Sequence, residues 1–438
     1  MTGCAQNGQS TSSPSGSQTG RGQTAWYNPS TWFNGNSNGR VTQSPDISHI
    51  KGPLTPPEPA PFNSVQRATL PPALMQKEII SQAPAPAPVI EGAPVIEPPQ
   101  GKVKVAILLP LTGRNAALGK AMLNAAQQAV FDAGDDRFEL MPQDTGDNDG
   151  NAETAARRAL VEGAQLIIGP LFAAKVPMVR DAAQNSGVNI LTLSNDTSLA
   201  GNGVYVMGFA PGAQVDRIVR YAASRGLRHF AALIPGNPYG ALAAEAFKRS
   251  VNQAGGTVVA VETYDPAKHD ATAHIANLAS QRDHIDALFL PMGGNDLVQI
   301  AMQLGNAGFD NNQARLLGTG LWDTQDLGRQ SAFLDSGWYA AADPAARQSF
   351  ITTYKSANGS EPPRIVTLAY DATALAAVLE KRGGHFGAED LTNPNGFIGL
   401  DGIFRLTPQG LTERGLAVLT VTTEGPRVID PAPTTFAR

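Results

Sequence analysis

The residues of this chain that could do chemistry are few and scattered. Of 438 residues only Cys4 is a cysteine, and it stands far from any patterned segment, so no thiol serves a folded core as nucleophile. The stretch from Gly113 to Gly119 and Lys120 invites a nucleotide reading. A phosphate-cradling P-loop needs four residues between its glycines and a Ser or Thr after the lysine, because that hydroxyl holds magnesium. Here five residues intervene and Ala121 follows, which argues against it. No GxSxG elbow and no HExxH pair occurs. The six histidines are dispersed, and His269 and His274, five apart, do not share a helix face as metal ligands. Ser194-Asn195-Asp196 offers a hydroxyl and an acid with no partner base evident. Together these residues point away from catalysis and from a bound cofactor or metal, and toward binding.

What remains is a set of polar, small and aromatic residues that follow apolar runs. Thr112 and Gly113 follow VKVAILLPL, Ala173 follows GPLF, and Ser194 to Ser198 follow NILTL. Tyr239 lies in PGNPYG, Gly293 and Gly294 in PMGGND, and Leu321, Trp322 and Asp323 in GTGLWD. Taken singly, hydroxyls and acids cap helices, glycines make turns and aromatics pack. Taken together, they gather where the chain turns at strand ends. Backbone N–H groups at Ala173 and Thr197 would suit an anionic group on a ligand. Tyr239 and Trp322 would supply flat apolar walls with polar tips. The candidate set for a small polar ligand is Thr112, Ala173, Ser194, Asp196, Thr197, Tyr239, Gly293, Trp322 and Asp323.

The elements that must position these residues are legible from Val103 onward. VKVAILLPL is a continuous apolar run ending in Pro, which predicts a strand buried on both faces. AALGKAMLNAAQQAVFDAG has helical spacing and stops at Gly134. The alternation recurs through FELMPQDTGDN, NAETAARRALVEGA, QLIIGPL and VNILTLS, and starts afresh after YVMGFAPGAQ with HFAALIP, TVVAVETYD, IDALFLP and RLLGTG as strands between helices. Successive βα units imply parallel sheets with helices on both faces. Two such blocks of roughly a hundred residues predict an α/β fold of two lobes. Ligands in such folds sit at the carboxyl ends of strands, so facing lobes make that edge a cleft.

Residues 1–101 have another texture, rich in Ser, Gly, Asn and Gln and then in Pro, with APVIE at Ala87 to Glu91 repeated at Ala93 to Glu97. So little apolar surface cannot offset chain entropy, and the reading is a disordered tether. In polyproline II geometry, at about 3.1 Å per residue, the part from Gly52 to Gly101 would reach at most roughly 150 Å. Trp26, Tyr27, Trp32 and Phe33 could anchor on a partner. The net charge is −5 with no basic stripe, which argues against nucleic acid. No run of about 18 apolar residues is present in the sequence.

The segments VAILLPLTGRNAALGKAMLNAAQQAVFD, DTGDNDGNAETAARRALVEGAQLIIGPLFAAKV, ILTLSNDTS and IPGNPYGALAAEAFKRSVNQAGG, in this order, resemble the leucine/isoleucine/valine-binding proteins. The likeness covers about 103–425. It implies the type I periplasmic-binding-protein fold, two Rossmann-like parallel sheets joined by three crossovers. The crossings would fall near Phe209 to Gln214, Ala341 to Pro344 and Asn393 to Gly402. Lobe one would then take 103–211 and 343–392, and lobe two 212–342 and 393–430. The resemblance further implies that Thr197 contacts the head group of an amino-acid ligand and that Tyr239 faces it from the other lobe. Where such proteins have a carboxylate-binding serine this sequence has Ala173, and where they have an acid for the ligand ammonium it has Gly320, with Asp323 three residues on. Losing a charge that pairs with a buried ammonium is expensive, which counts against an ordinary branched-chain amino acid.

A second branch of the same fold is similar: the penicillin-binding-protein activators, envelope lipoproteins that regulate peptidoglycan synthesis. Two functions are therefore expected. One is a non-enzymatic binding protein that closes on a small polar ligand, an amino acid or amide, for an ABC permease. The other is a tethered activator of a penicillin-binding protein with a vestigial or sensory cleft. Met1-Thr2-Gly3-Cys4 resembles the end of a bacterial lipobox, which implies acyl chains on Cys4, attachment to a membrane and a periplasmic location. A signal of this kind has a charged and then apolar segment ahead of the cysteine, so extending the reading frame upstream is expected to reveal one.

Overall fold

The computed structural model describes residues 101–436, apart from His269, Gly384 and the side chain of Asp149. The tether read from the sequence, with Cys4 and its anchor, lies outside the described residues but for Gly101. Five strands form the first sheet: β1 (Val103–Leu109), β2 (Phe138–Asp144), β3 (Leu166–Ile168), β4 (Asn189–Thr192) and β5 (Val204–Val206). They run parallel in the order β2-β1-β3-β4-β5. The unbroken apolar run in β1 is explained by its two covers. Val105, Ile107 and Leu109 pack under the helices Ala116–Ala133 and Thr367–Lys381, while Ala106 and Leu108 pack under Asp149–Val161 and Val176–Ala183. Alternate side chains of a strand point to opposite faces, and each Val, Ile or Leu fully buried in this way contributes roughly 1.5–3 kcal/mol.

The second sheet holds β6 (His229–Pro235), β7 (Thr257–Tyr264), β8 (Ala287–Phe289), β9 (Arg315–Gly318) and β10 (Trp338–Ala341), all parallel. Its far edge is completed late in the chain. A short antiparallel sheet, β11 (Phe397–Gly399), β12 (Gly402–Leu406) and β13 (Thr412–Arg414), comes first. Then β14 (Ala417–Thr420) pairs antiparallel with β10, and β15 (Arg427–Asp430) with β14, giving the order β15-β14-β10-β9-β8-β6-β7.

The chain passes between sheets between β5 and the helix Pro211–Ser224, again after β10, and a third time between β13 and β14. This third passage corrects the expectation that everything from 393 to 430 joins the second lobe. Phe397, Phe404 and Leu406 lie in the same core as Leu375 and Leu379 of the first lobe. Arg414 and Thr412 are tied to the carbonyls of Met207 and Val206 at the end of the first sheet. Aromatic residues on β11 and β12 insert into the first core, so the change of lobe falls after Arg414.

Candidate functional site

Where the carboxyl ends of the two sheets meet there is a cavity of about 590 Å³, within the ~300–1,000 Å³ common for small-molecule sites. Its walls are largely apolar: Leu171, Phe172 and Leu193 from the first lobe, Leu242 and Leu321 from the second, and Leu368 from the start of the helix Thr367–Lys381. Phe209, in the first crossover, also lines it.

Of the candidates read from the sequence, Ser194, Thr197 and Tyr239 line this cavity. Ser194 is buried, and its Oγ accepts from the Asp196 N–H at 3.1 Å, which leaves its own proton to give. Thr197 is half-buried, at the first position of a short 3₁₀ turn, Thr197–Leu199. Tyr239 opposes them from the helix Pro238–Gln253 and donates to Thr319 Oγ1 at 3.0 Å. Burial pushes the Tyr239 phenol well above its ordinary range, so it stays neutral.

The other candidates are placed differently, each for a physical reason. Thr112 is exposed and its hydroxyl is committed to Asp144, donating to Oδ2 at 2.5 Å, while Asp144 Oδ1 accepts from the N–H groups of Leu111 and Gly146 at 2.8 and 2.7 Å. Burial would raise the Asp144 carboxyl, but the Thr112 hydroxyl and these backbone donors outweigh it and hold it low. Ala173 begins a 3₁₀ turn just past the cavity-lining Leu171 and Phe172 and is not part of the lining. Asp196 is committed to Ser198, accepting from its N–H at 3.0 Å and its hydroxyl at 2.6 Å.

On the second lobe, Gly293 makes room for the backbone of Leu321: a Cβ there would fall 2.6 Å from the Leu321 carbonyl oxygen. Trp322 is 1% exposed, with its Nε1–H directed at the carbonyls of Leu290 and Met292. It is core rather than cavity wall. Asp323 is buried in ion pairs, 2.7 Å from Arg347 Nη2 and 3.3 Å from Arg364 Nε.

Those pairs belong to a buried network at the junction of the lobes. Asp401, between β11 and β12, is fully buried; its Oδ2 accepts from Thr367 Oγ1 at 2.7 Å and Arg364 Nη1 at 3.3 Å. Its Oδ1 stands 2.7 Å from Arg364 Nη2 and 3.6 Å from Arg347 Nη1 as ion contacts. Burial alone would raise the Asp401 carboxyl, yet Arg364, Arg347 and Arg414 hold it below its ordinary range. Asp371 goes the other way. Burial, and then the charge of Asp401, push it up to about 7 against the pull of Arg414. The guanidinium groups of Arg364 and Arg414 lie 4.8 and 5.1 Å from the centre of the Phe209 ring, a cation–π arrangement at the crossover.

A family model described as periplasmic binding protein matches residues 102–395. The chain belongs to the periplasmic binding protein family. It has the type I fold of ABC-transporter solute-binding proteins, and the family implies an extracytoplasmic location. Among relatives, an uncharacterized protein of Rickettsia prowazekii is 24% identical over 43% of this chain and 50% of its own length. A Leu/Ile/Val-binding protein of Rhizobium johnstonii is 26% identical over 50% of this chain and 64% of its own length. A penicillin-binding protein activator of Glaesserella parasuis is 28% identical over 34% of this chain and 25% of its own length. The chain thus spans between a quarter and two thirds of the relatives it matches.

Among solved structures, a substrate-binding protein from Sphaerobacter thermophilus superposes with a TM-score of 0.63 at 19% identity, covering 76% of this chain and 97% of that one. One from Rhodopseudomonas palustris in complex with 3,4-dihydroxybenzoic acid gives 0.59 at 19%, covering 76% and 97%. One from Streptococcus pneumoniae in complex with isoleucine gives 0.56 at 19%, covering 75% and 100%. The same fold holds chemically unlike ligands in those two complexes, so the fold does not choose the ligand.

The cavity of this periplasmic binding protein is also lined by residues that sequence reasoning missed: Arg364, Arg414, Asp401, Phe209 and Gln214. Gln214 Oε1 accepts from the Gly320 N–H at 2.6 Å and so occupies that donor. A signal for the network was present. Arg364 in PPRIVTLAY and Asp371 in LAYDATALAAV are lone charges in otherwise apolar stretches, and a charge buried there must find a partner.

Proposed function

We propose that the protein is a solute-binding protein whose two lobes close on a small ligand in this cavity and deliver it to an ABC permease. The observation that carries the reading is the facing of Ser194 and Thr197 on one lobe with Tyr239 on the other across a roomy cavity. Thr197 and Tyr239 are the contacts assigned to opposite lobes, and closure is a hinge motion at the crossovers. The ligand class expected from the resemblance, a small polar molecule such as an amino acid or amide, is the starting panel. Cys4 is the proposed lipid attachment point, holding the protein at the membrane in the periplasm.

The test is thermal unfolding against amino acids, amides, carboxylic acids and cell-wall fragments. A ligand at 100 times its Kd adds roughly 2.7 kcal/mol of stability, and Tyr239→Ala is expected to abolish the shift. A panel without any response would sink the reading. The match to a penicillin-binding protein activator over 150 residues supports a second reading, a tethered regulator of a cell-wall synthase. Co-purification of a penicillin-binding protein with the full chain, together with a silent ligand panel, is its expected signature.

A further inference from the structure

The cavity carries an uneven set of charges. Its lining includes three arginines, Arg249, Arg364 and Arg414, against two acids, Glu245 and Asp401. Neither acid is free to meet a cation. The side chain of Glu245 is 74% exposed at the mouth and pairs with Lys248, so it is solvated and screened. Asp401 is fully buried, with both oxygens within ion-pair or hydrogen-bond reach of Arg364 and Oδ2 also bonded to Thr367. A ligand ammonium entering this cavity would leave water without a carboxylate to replace it, which is costly.

The arginines are not equivalent. Arg249 is exposed at the rim. Arg414 gives Nη2 to the Met207 carbonyl at 2.6 Å; its Nε and Nη1 have no hydrogen-bond partner but are sealed from solvent, so they are not open to the cavity. Arg364 differs from both. Its Nε is held by Asp323, its Nη1 by Thr367 and Asp401, and its plane rests over Phe209. Nη2 makes only the ion contact with Asp401 Oδ1, and the side chain, lining the cavity, keeps 20% exposure. The result is a guanidinium fixed in direction, with donor capacity left over, beside apolar walls.

Resting on the solute-binding reading, we infer that the ligand is an apolar-bodied monocarboxylate without an ammonium group, and that Arg364 is the residue that receives its carboxylate. The apolar body lies against Leu171, Phe172, Leu193 and Leu321. Ser194 and Thr197 supply neutral hydrogen bonds beside it. Arg364 thereby acts as a specificity-determining residue, selecting an acid over its amide and over the corresponding amino acid.

The experiment is isothermal titration of the full chain with two matched sets: 3-phenylpropanoate, 3-phenylpropanamide and phenylalanine, then 4-methylpentanoate, 4-methylpentanamide and leucine. In at least one set the acid binds, the amide binds about 10-fold more weakly or worse, and the amino acid is weaker by on the order of 100-fold or more. Arg364→Gln is expected to bring the acid-to-amide ratio to about one, with Arg364→Lys restoring part of it; a purely structural role would lower both affinities alike. Should Arg364→Gln not fold, the three-way comparison on the unaltered protein still decides. An amino acid that matches or exceeds its deamino acid, an amide that equals its acid, or no binding by either set would overturn the inference. In that last case, a thermal shift with some other small molecule would leave the solute-binding reading standing, whereas silence across the whole panel would remove both.

Discussion

The carboxyl edges of the two sheets meet the same cavity and treat it differently. On the first lobe the loop after β4 leaves Ser194 and Thr197 facing the space. On the second the loop after β9 folds Trp322 back into the lobe, where its ring centre lies 6.3 Å from that of Tyr339. The indole sits so close to the backbone that a Cβ on Gly318 would come within 2.2 Å of it, and one on Gly337 within 2.8 Å. Only glycine leaves that room. The second lobe therefore reaches the cavity mainly through Tyr239, Leu242 and Leu321. A strand-end position supplies polar and aromatic side chains; volume and hydrogen bonding then decide which of them remain available.

Trp322→Ala should break this contrast most severely. Emptying a fully packed aromatic site costs about 3–5 kcal/mol, read by denaturant unfolding, and a loss under about 1 kcal/mol would mean that the second edge is not sealed by this ring. The buried network between the edges has its own signature in pH. Because Asp371 is pushed up to about 7, the folded protein keeps a proton there that the unfolded chain releases above its ordinary value near 4. The unfolded state thus binds fewer protons, and this group makes stability fall as pH rises from about 4 to about 7, by at most about 1.4 kcal/mol per unit. Asp371→Asn should flatten that part of the pH profile; an unchanged slope would count against a buried protonated carboxyl.

Smaller effects sharpen the comparison within the first lobe. Asp144→Ala strips acceptors from Leu111, Thr112 and Gly146 and should cost about 1–3 kcal/mol with ligand affinity unchanged. Thr197→Val should do the reverse, shifting stability by less than about 0.5 kcal/mol while weakening ligand binding roughly 5-fold, about one neutral hydrogen bond. If the two variants behaved alike in calorimetry, the division between a self-satisfied loop and a ligand-facing loop would fail.

Much of the strand and helix order of both lobes is legible in the length, spacing and flanking turn residues of the apolar runs, whereas β5 and β10, three and four residues long, give no such signal. VKVAILLPL reads as a two-faced strand, and β1 is covered on both faces. The antiparallel excursion is harder. Phe397, Ile398, Ile403 and Phe404 announce strands, but nothing local says which core receives the two phenylalanines. For the site, hydroxyls after an apolar strand give Ser194 and Thr197, whereas an aromatic at a strand end looks the same in sequence whether it lines a cavity, as Tyr239 does, or fills a core, as Trp322 does. Arg364, Asp401 and Arg414 escape a linear reading for another reason. They become neighbours only through the crossovers, and each looks like an ordinary surface charge until the apolar residues around it are noticed.

The first lobe is finished by residues that come after most of the second. Asn124, on the helix Ala116–Ala133, bonds Asn358 across 234 positions at 2.6 Å, and Lys381 reaches the Ala133 carbonyl from farther still. At roughly 5–20 residues per second, a ribosome would present the stripe of Leu118, Met122 and Ala126 on the order of ten to fifty seconds before its cover is synthesised. During that interval the nascent chain holds an unfinished apolar surface, a natural target for a holding chaperone. It also means that neither lobe can be made as one uninterrupted fragment, and that a truncation ahead of residue 367 would remove the cover from a lobe whose first sheet is already complete.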